Sequence, residues 1–183
     1  AQLQPQTPDV TVAATQGEHT PDVPVVAIPS EQTNPRPSQP SPSAAPKDKS
    51  LKTGSPVEGQ TVAVYAMDAL SYNQTTRDWR IHNGMDIAAE AGTQVCAAAD
   101  GTVYTVFEDE TMGMTVVIRH EEGYTTTYAS LAEEILVKPG DQVKLGQAIG
   151  CVGVTALLET AVGEHVHFSV SRNDEPMDPV EFL

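Results

Sequence analysis

The sequence predicts an all-β domain, a small and mostly antiparallel β-sandwich or half-barrel, preceded by a disordered Pro-rich segment. Eleven of the 14 prolines lie before residue 57, and no Phe, Tyr or Trp occurs before Tyr65. A segment of this kind buries too little apolar surface to offset its ordering entropy. Beyond it, short runs of β-branched and aromatic residues are separated by Gly-containing turns, which is typical of all-β folds.

The individual strands follow from alternation and β-branched content after residue 59. They are predicted at 61–65, 93–97, 102–107, 115–120, 124–128, 142–144, 148–152 and 165–170. Asp100-Gly101 and Glu121-Glu122-Gly123 are turn signals between strands. Only the stretch 129–136 is predicted to hold a helical turn. The run Gly92-Thr93-Gln94-Val95 is echoed by Gly140-Asp141-Gln142-Val143, which fits a fold built from two similar units.

Composition divides the chain into a Pro/Ser/Thr-rich stalk or linker, residues 1–58, and one domain, residues 59–183. The chain has 10 Lys and Arg against 25 Asp and Glu, a formal net charge of -15. This balance argues against a nucleic-acid-binding surface, because phosphate contacts need clustered cations. No apolar run approaches the ~18 residues of a membrane span. Since the chain begins Ala1-Gln2, we expect that an upstream signal or anchor was removed, and that the stalk holds an extracytoplasmic domain away from a membrane.

Cys96 and Cys151 are the two cysteines of the chain, and each lies among small apolar residues. Buried free thiols are expected there, and one disulfide is the alternative in an oxidising compartment. Two cysteines this far apart do not make a zinc ribbon.

Two short segments could carry chemistry. In His165-Val166-His167 the histidines are two apart, so on a strand both imidazoles point to one face while Val166 faces the core. In His82-Asn83-Gly84-Met85-Asp86, an imidazole and a carboxylate four apart could converge on one ion. Taken alone, the first could be a solvent-facing polar row and the second a surface accident. Together they supply the three ligands, plus one further His, expected of a catalytic zinc with an open position.

The order of motifs from Trp79 to Leu183 resembles the lysostaphin/LytM-type zinc metallopeptidases, which cleave peptide cross-bridges in bacterial cell walls. The matching segments are His82-x-Gly84-x-Asp86, Ala98-Ala99-Asp100-Gly101, Tyr128-Ala129-x-Leu131, Val137-Lys138-Pro139-Gly140-Asp141, His165-x-His167-Phe168 and Pro176-x-Asp178-Pro179. The resemblance implies the duplicated-hybrid-motif fold. It also implies that His82, Asp86 and His167 ligate Zn²⁺, and that His165 is a catalytic residue that orients or deprotonates the metal-bound water.

One position departs from the family pattern. Active members carry a His in a Tyr-x-His-Leu motif, whereas this chain reads Tyr128-Ala129-Ser130-Leu131. Losing a positioned acid/base group typically costs about 10²–10⁴-fold in rate. We therefore expect that zinc binds and that peptidase activity is weak or absent. We also expect Ser130→His to restore some activity if the rest of the site is intact.

The run from Ser71 to Asp86 resembles stage II sporulation protein Q and its relatives, which combine an anchor, a stalk and one LytM-type domain, often degenerate. That resemblance implies a forespore-membrane domain facing the intermembrane space, with a partner resembling stage III sporulation protein AH. The prediction is therefore a catalytically impaired peptidoglycan endopeptidase homologue acting as a binding and assembly module in engulfment or in a forespore–mother cell channel. An active zinc-dependent peptidoglycan endopeptidase and an activator of a cell-wall amidase are the alternatives.

Overall fold

The computed structural model describes residues 51–183. Twelve strands lie in this range: β1 (Gln60–Ala63), β2 (Ala66–Asn73), β3 (Asp78–His82), β4 (Met85–Ala88), β5 (Gln94–Cys96), β6 (Gly101–Asp109), β7 (Gly113–His120), β8 (Tyr124–Leu131), β9 (Gln142–Val143), β10 (Ala148–Cys151), β11 (His165–Arg172) and β12 (Glu175–Met177). Two 3₁₀ turns, Glu121–Gly123 and Leu157–Glu159, and one four-residue α-helix, α1 (Pro179–Phe182), complete the elements. The all-β prediction is confirmed.

The main sheet contains eight antiparallel strands. Seven of them follow the order β1-β4-β11-β8-β7-β6-β9, and β12 pairs with the free part of β11. Two smaller antiparallel sheets pair β5 with β10 and β2 with β3. The order places β11 between β4 and β8, so three segments that carry candidate site residues are hydrogen-bonded neighbours.

The core lies under one face of the main sheet. Val166, Phe168 and Val170 of β11 are almost fully buried, as their alternation with the histidines predicts. Phe168 packs against the ring of Tyr128, whose hydroxyl accepts a hydrogen bond from the Ala98 N–H. This packing positions β11 relative to the core.

Residues just before the predicted boundary at residue 59 also pack against this core. Val57 is 4% exposed, and Leu51 packs against the same core. The backbone N–H of Gly54 donates to the Ala98 carbonyl, and the Cys96 N–H donates to the Pro56 carbonyl. The remainder of the predicted stalk lies outside the described residues. Among the described residues, no helix has the length and apolarity that a membrane crossing requires.

The helical turn expected at 129–136 is wrong. β8 continues to Leu131, and the chain then leaves the sheet without forming a helix. The reason is tertiary: Ala129, Ser130 and Leu131 are buried beside β11 and β7, where strand pairing satisfies their backbone.

The echoed sequences behave alike. Gly92 and Gly140 both adopt positive φ, 87° and 92°, and each precedes a short strand, β5 or β9. Only glycine enters this region without steric cost, so the echo marks two turns of one kind. Cys96 and Cys151, on paired strands, are free and half-buried.

Candidate metal centre

Strand pairing brings three predicted ligands together. His167 of β11 lies directly opposite Asp86 of β4 in the register, and His82 ends β3 four residues before Asp86. His82 Nε2 is 3.3 Å from His167 Nδ1 and 3.3 Å from Asp86 Oδ1. His167 Nδ1 is 2.8 Å from Asp86 Oδ1. The His82–Asp86 segment and His167, which lies 81 residues after Asp86, thus bring their donor atoms close together.

Gly84 allows this convergence because it has no side chain. A Cβ at this position would lie 2.6 Å from His167 Nε2 and 2.7 Å from the Phe168 carbonyl oxygen. The glycine is therefore needed for close approach of the His82–Asp86 segment to β11.

Glu159 is a fourth member of the cluster, and sequence reasoning missed it. It ends the 3₁₀ turn Leu157–Glu159, and its Oε1 lies 3.5 Å from His167 Nδ1 and 3.8 Å from His82 Nε2. The four potential ligand atoms all lie within 4.8 Å of one another. A signal was present: Glu159 is the one charged residue in the stretch 145–163.

His165 lies beside this cluster and contacts Glu159. Its Nε2 is 3.0 Å from Glu159 Oε2, and its Nδ1 is 2.7 Å from the Gly163 carbonyl oxygen. Both partners accept hydrogen bonds, so both ring nitrogens donate, which is the protonated imidazolium form. Burial alone would lower the His165 pKa, but the hydrogen bond to Glu159 raises it.

The pKa values of the other site groups reflect the same pairing of opposite charges. Burial opposes ionisation of His167, yet hydrogen bonds to Asp86 and Glu159 raise its pKa to about 9. Burial likewise opposes ionisation of Asp86, but the hydrogen bonds from His167 and His82 lower its pKa. The Glu159 pKa is also lowered, against its burial, by hydrogen bonding to His165. Without a metal, protons on the imidazoles balance the two buried carboxylates.

Ser130 is the position at which the sequence resemblance implies a second His. It follows Ala129, which lies opposite His167 in the β8–β11 register. Its hydroxyl is buried and is the one buried side-chain polar atom without a hydrogen-bond partner in residues 51–183. Ser130, His165 and Glu159 line a cavity of about 200 Å³. Among the described residues, no second imidazole lines this cavity beside His165.

A larger groove of about 600 Å³ opens onto the cluster. Its walls come from β1, β2 and β3, and they include the exposed side chains of Val62, Val64, Tyr72 and Ile81. Asp86, His167 and Glu159 form part of its lining. An apolar-walled groove with a few polar groups on its floor is typical of a ligand-binding site.

The cluster has the donor set of a zinc site. Zinc prefers four ligands drawn from imidazole nitrogen, carboxylate oxygen and thiolate sulfur. His82 and His167 provide two nitrogens, and Asp86 and Glu159 provide two carboxylates. Asp86 and His167 are 2% and 4% exposed, so their donor atoms are shielded from competing water. The residues present fit this ion.

Two curated relatives share this domain. Stage II sporulation protein Q of Bacillus subtilis (strain 168) is 34% identical over 116 residues, which cover 62% of this chain and 39% of the relative. The DD-carboxypeptidase/endopeptidase Mpg of Neisseria meningitidis serogroup B is 37% identical over 102 residues, 56% of this chain and 23% of Mpg. The chain therefore spans well under half the length of either relative.

Solved structures agree with these relatives. The structure of the SpoIIIAH and SpoIIQ complex contains a chain that superposes with a TM-score of 0.62 at 29% identity, covering 72% of this chain and 99% of that one. The catalytic domain of the antimicrobial peptidase lysostaphin from Staphylococcus simulans gives 0.57 at 27% identity, over 68% and 91% of the two chains. The resemblances predicted from sequence are confirmed.

The sequence profile of Peptidase family M23 matches residues 80–179, more than half of the chain. The matched region begins two residues before His82 and contains Asp86, Ser130, Glu159 and the histidine pair. On the fold, the likeness to solved structures and this match, the chain belongs to Peptidase family M23.

Proposed function

We propose that this domain binds Zn²⁺ through His82, Asp86 and His167 and is impaired as a peptidoglycan endopeptidase, acting instead as an extracytoplasmic binding and assembly module. When bound, zinc would supply Lewis-acid chemistry at the floor of the groove. Two imidazoles and a carboxylate with donor atoms 2.8–3.3 Å apart support its binding. We also propose that the domain has the duplicated-hybrid-motif fold.

The observation that carries impairment is the environment of Ser130. Its hydroxyl has no hydrogen-bond partner in residues 51–183 and stands beside a cavity that contains no second imidazole. Serine cannot take up a proton near neutral pH, so it cannot replace a group that shuttles one. His165 keeps its place, but both of its nitrogens are engaged by Glu159 and Gly163. Of the two imidazoles expected to act as acid/base groups, His165 alone is present, and it is already hydrogen-bonded.

Hydrolysis is the direct test. The zinc-loaded protein is incubated with purified peptidoglycan and with a peptide-bridged substrate, and released fragments are quantified. We expect no release above that of His167→Ala, which removes a metal ligand. Clear hydrolysis that His167→Ala abolishes would reject impairment and would favour an active endopeptidase, the alternative supported by the open groove and the likeness to Mpg.

The partner we propose is a protein resembling SpoIIIAH, with the domain anchored upstream in a forespore membrane and facing the intermembrane space. The likeness to a chain of the SpoIIIAH and SpoIIQ complex supports this. The exposed apolar side chains of β1 to β3, including Trp79 and Ile81, provide contact surface.

Calorimetric titration of the domain with the soluble domain of a SpoIIIAH-like protein from the same organism tests the partner. We expect a 1:1 complex with a dissociation constant in the micromolar range or tighter, as for a specific protein–protein interface. No detectable heat at protein concentrations about 100-fold above 1 μM, with both proteins folded by circular dichroism, would reject this partner.

A further inference from the structure

We infer that Glu159 is a fourth protein ligand of the metal, held in place by His165, so that the ion is enclosed by four side chains and has no open position. This inference rests on the proposed zinc site and deepens it. A catalytic zinc in a hydrolase keeps one position open, whereas a structural zinc has all four filled by protein. Glu159 therefore decides which kind of site this is.

The distances between donor atoms lie within about 0.5 Å of those of four-fold coordination. Four tetrahedral ligands at 2.0–2.2 Å from one ion lie about 3.3–3.6 Å from one another. Glu159 Oε1 is 3.5 Å from His167 Nδ1 and 3.8 Å from His82 Nε2. The separations within the trio are 2.8–3.3 Å. Glu159 is thus placed among the ligands and not behind them.

His165 fixes the orientation of the Glu159 carboxylate. It binds Oε2, the oxygen that does not face the trio, while its other nitrogen donates to the Gly163 carbonyl. A carboxylate whose outer oxygen is hydrogen-bonded in this way presents its inner oxygen in one direction. His165 is therefore a positioning residue that acts through Glu159.

The backbone around Glu159 is also secured. The Leu158 N–H donates to the Thr111 carbonyl, and the Leu158 carbonyl accepts from the Asn73 side chain. The Ala161 N–H donates to the Thr75 hydroxyl. Glu159 itself is 6% exposed. These contacts tie the segment to β2 and to the β6–β7 turn, so the carboxylate is part of a built site.

A role for Glu159 as a proton acceptor replacing the missing His is disfavoured by the same distances. A base acting on a bound water stands one hydrogen bond, about 2.6–3.2 Å, behind that water. At 3.5 and 3.8 Å from two ligand atoms, Oε1 takes the position that the water would need. The geometry leaves Glu159 as a ligand.

The test uses the full chain loaded with Co²⁺ in place of zinc, whose visible absorption reports coordination. Acetohydroxamate, a small chelating anion, is titrated in, since it changes the spectrum only if a position on the metal is open. We expect no change for the wild type and a saturable change for Glu159→Ala. A wild-type response as strong as that of Glu159→Ala would overturn the inference, and the wild-type titration needs no variant to fold.

Metal affinity provides a second readout, measured by competition with a chromophoric chelator. We expect Glu159→Ala to weaken Zn²⁺ binding by at least about 100-fold and His165→Ala by about 10–100-fold. Glu133→Ala, which changes an exposed carboxylate, is the matched control and should leave affinity unchanged. Equal affinities for the wild type and Glu159→Ala would overturn the inference.

The outcomes separate this inference from the proposed function. If the wild type binds metal, responds to acetohydroxamate and does not cleave peptidoglycan, Glu159 is not a fourth ligand, but the proposed impairment stands. Cleavage by the wild type rejects impairment, and a site open enough to cleave overturns the inference too. Failure of the wild type to bind Co²⁺ or Zn²⁺ overturns both the metal site and Glu159 as its ligand.

Discussion

At the scale of single residues, two positions set the character of this site. Ser130 stands where the sequence resemblance implies an acid/base group beside His165, and Glu159 adds a carboxylate to the cluster of potential metal ligands. The first follows from sequence, because a His is missing from a Tyr-x-His-Leu pattern. The second does not follow from sequence, because Glu159 lies in the connection between β10 and β11. In such a connection the number of residues does not determine where a side chain lies. Its isolation as a charge among apolar residues is interpretable only once the fold is known.

Glu159 changes what should follow from restoring the missing imidazole. The sequence predicts that Ser130→His recovers some peptidase activity if the remaining site is intact. With a fourth ligand present, we expect the single variant to stay inactive, while Ser130→His combined with Glu159→Ala rises at least about 100-fold above the wild type. The cavity of about 200 Å³ beside Ser130 has room for the ring.

Peptidoglycan fragment release measures this effect, with Ser130→Ala as the matched control that introduces no imidazole. If Ser130→His alone were as active as the double variant, Glu159 would not be blocking the site.

The pH dependence of metal binding is also set by single residues, through their protonation. The His167 pKa is raised from 6.5 to about 9. In the metal-free domain its stabilising pairing with Asp86 is complete below pH 6.5 and is lost as pH rises through about 9. Zinc needs the neutral imidazole, so its affinity should rise over that same interval.

Thermal unfolding between pH 6 and 8.5, with and without zinc, measures both trends. We expect the melting temperature of the metal-free domain to fall with pH and the zinc-induced increase to grow. His167→Ala should flatten both. A zinc-induced increase that is largest at pH 6 would contradict this assignment.

At the scale of elements, the strands differ in how far sequence could predict them. β6, β7, β8 and β11 carry β-branched or aromatic residues between turn signals and were predicted close to their bounds. β4 is buried on both faces, so it has no alternation to detect. β2 is mostly exposed, and its residues show no strict alternation of apolar and polar side chains that would mark a strand. The ligand pair His82 and Asp86 could thus be proposed, but not the strands that hold it.

At the scale of the whole molecule, an M23 fold combines an open groove of about 600 Å³ with a cluster of four potential metal ligands, and we propose that hydrolysis there is impaired. Residues 59–183 hold 6 Lys and Arg against 19 Asp and Glu. This acidity argues against a nucleic-acid partner and is compatible with binding either cell wall or protein. The groove and the exposed apolar walls remain usable for binding even when the metal has no open position.

The most direct measurement is the amount of peptidoglycan fragment released per bound zinc by the full chain. Zinc content and turnover are determined on the same sample, and the Ser130→His, Glu159→Ala double variant serves as positive control. The account predicts one tightly bound zinc and no release above that of His167→Ala for the wild type, with release by the double variant. Wild-type release that scales with zinc content and disappears in His167→Ala would contradict it.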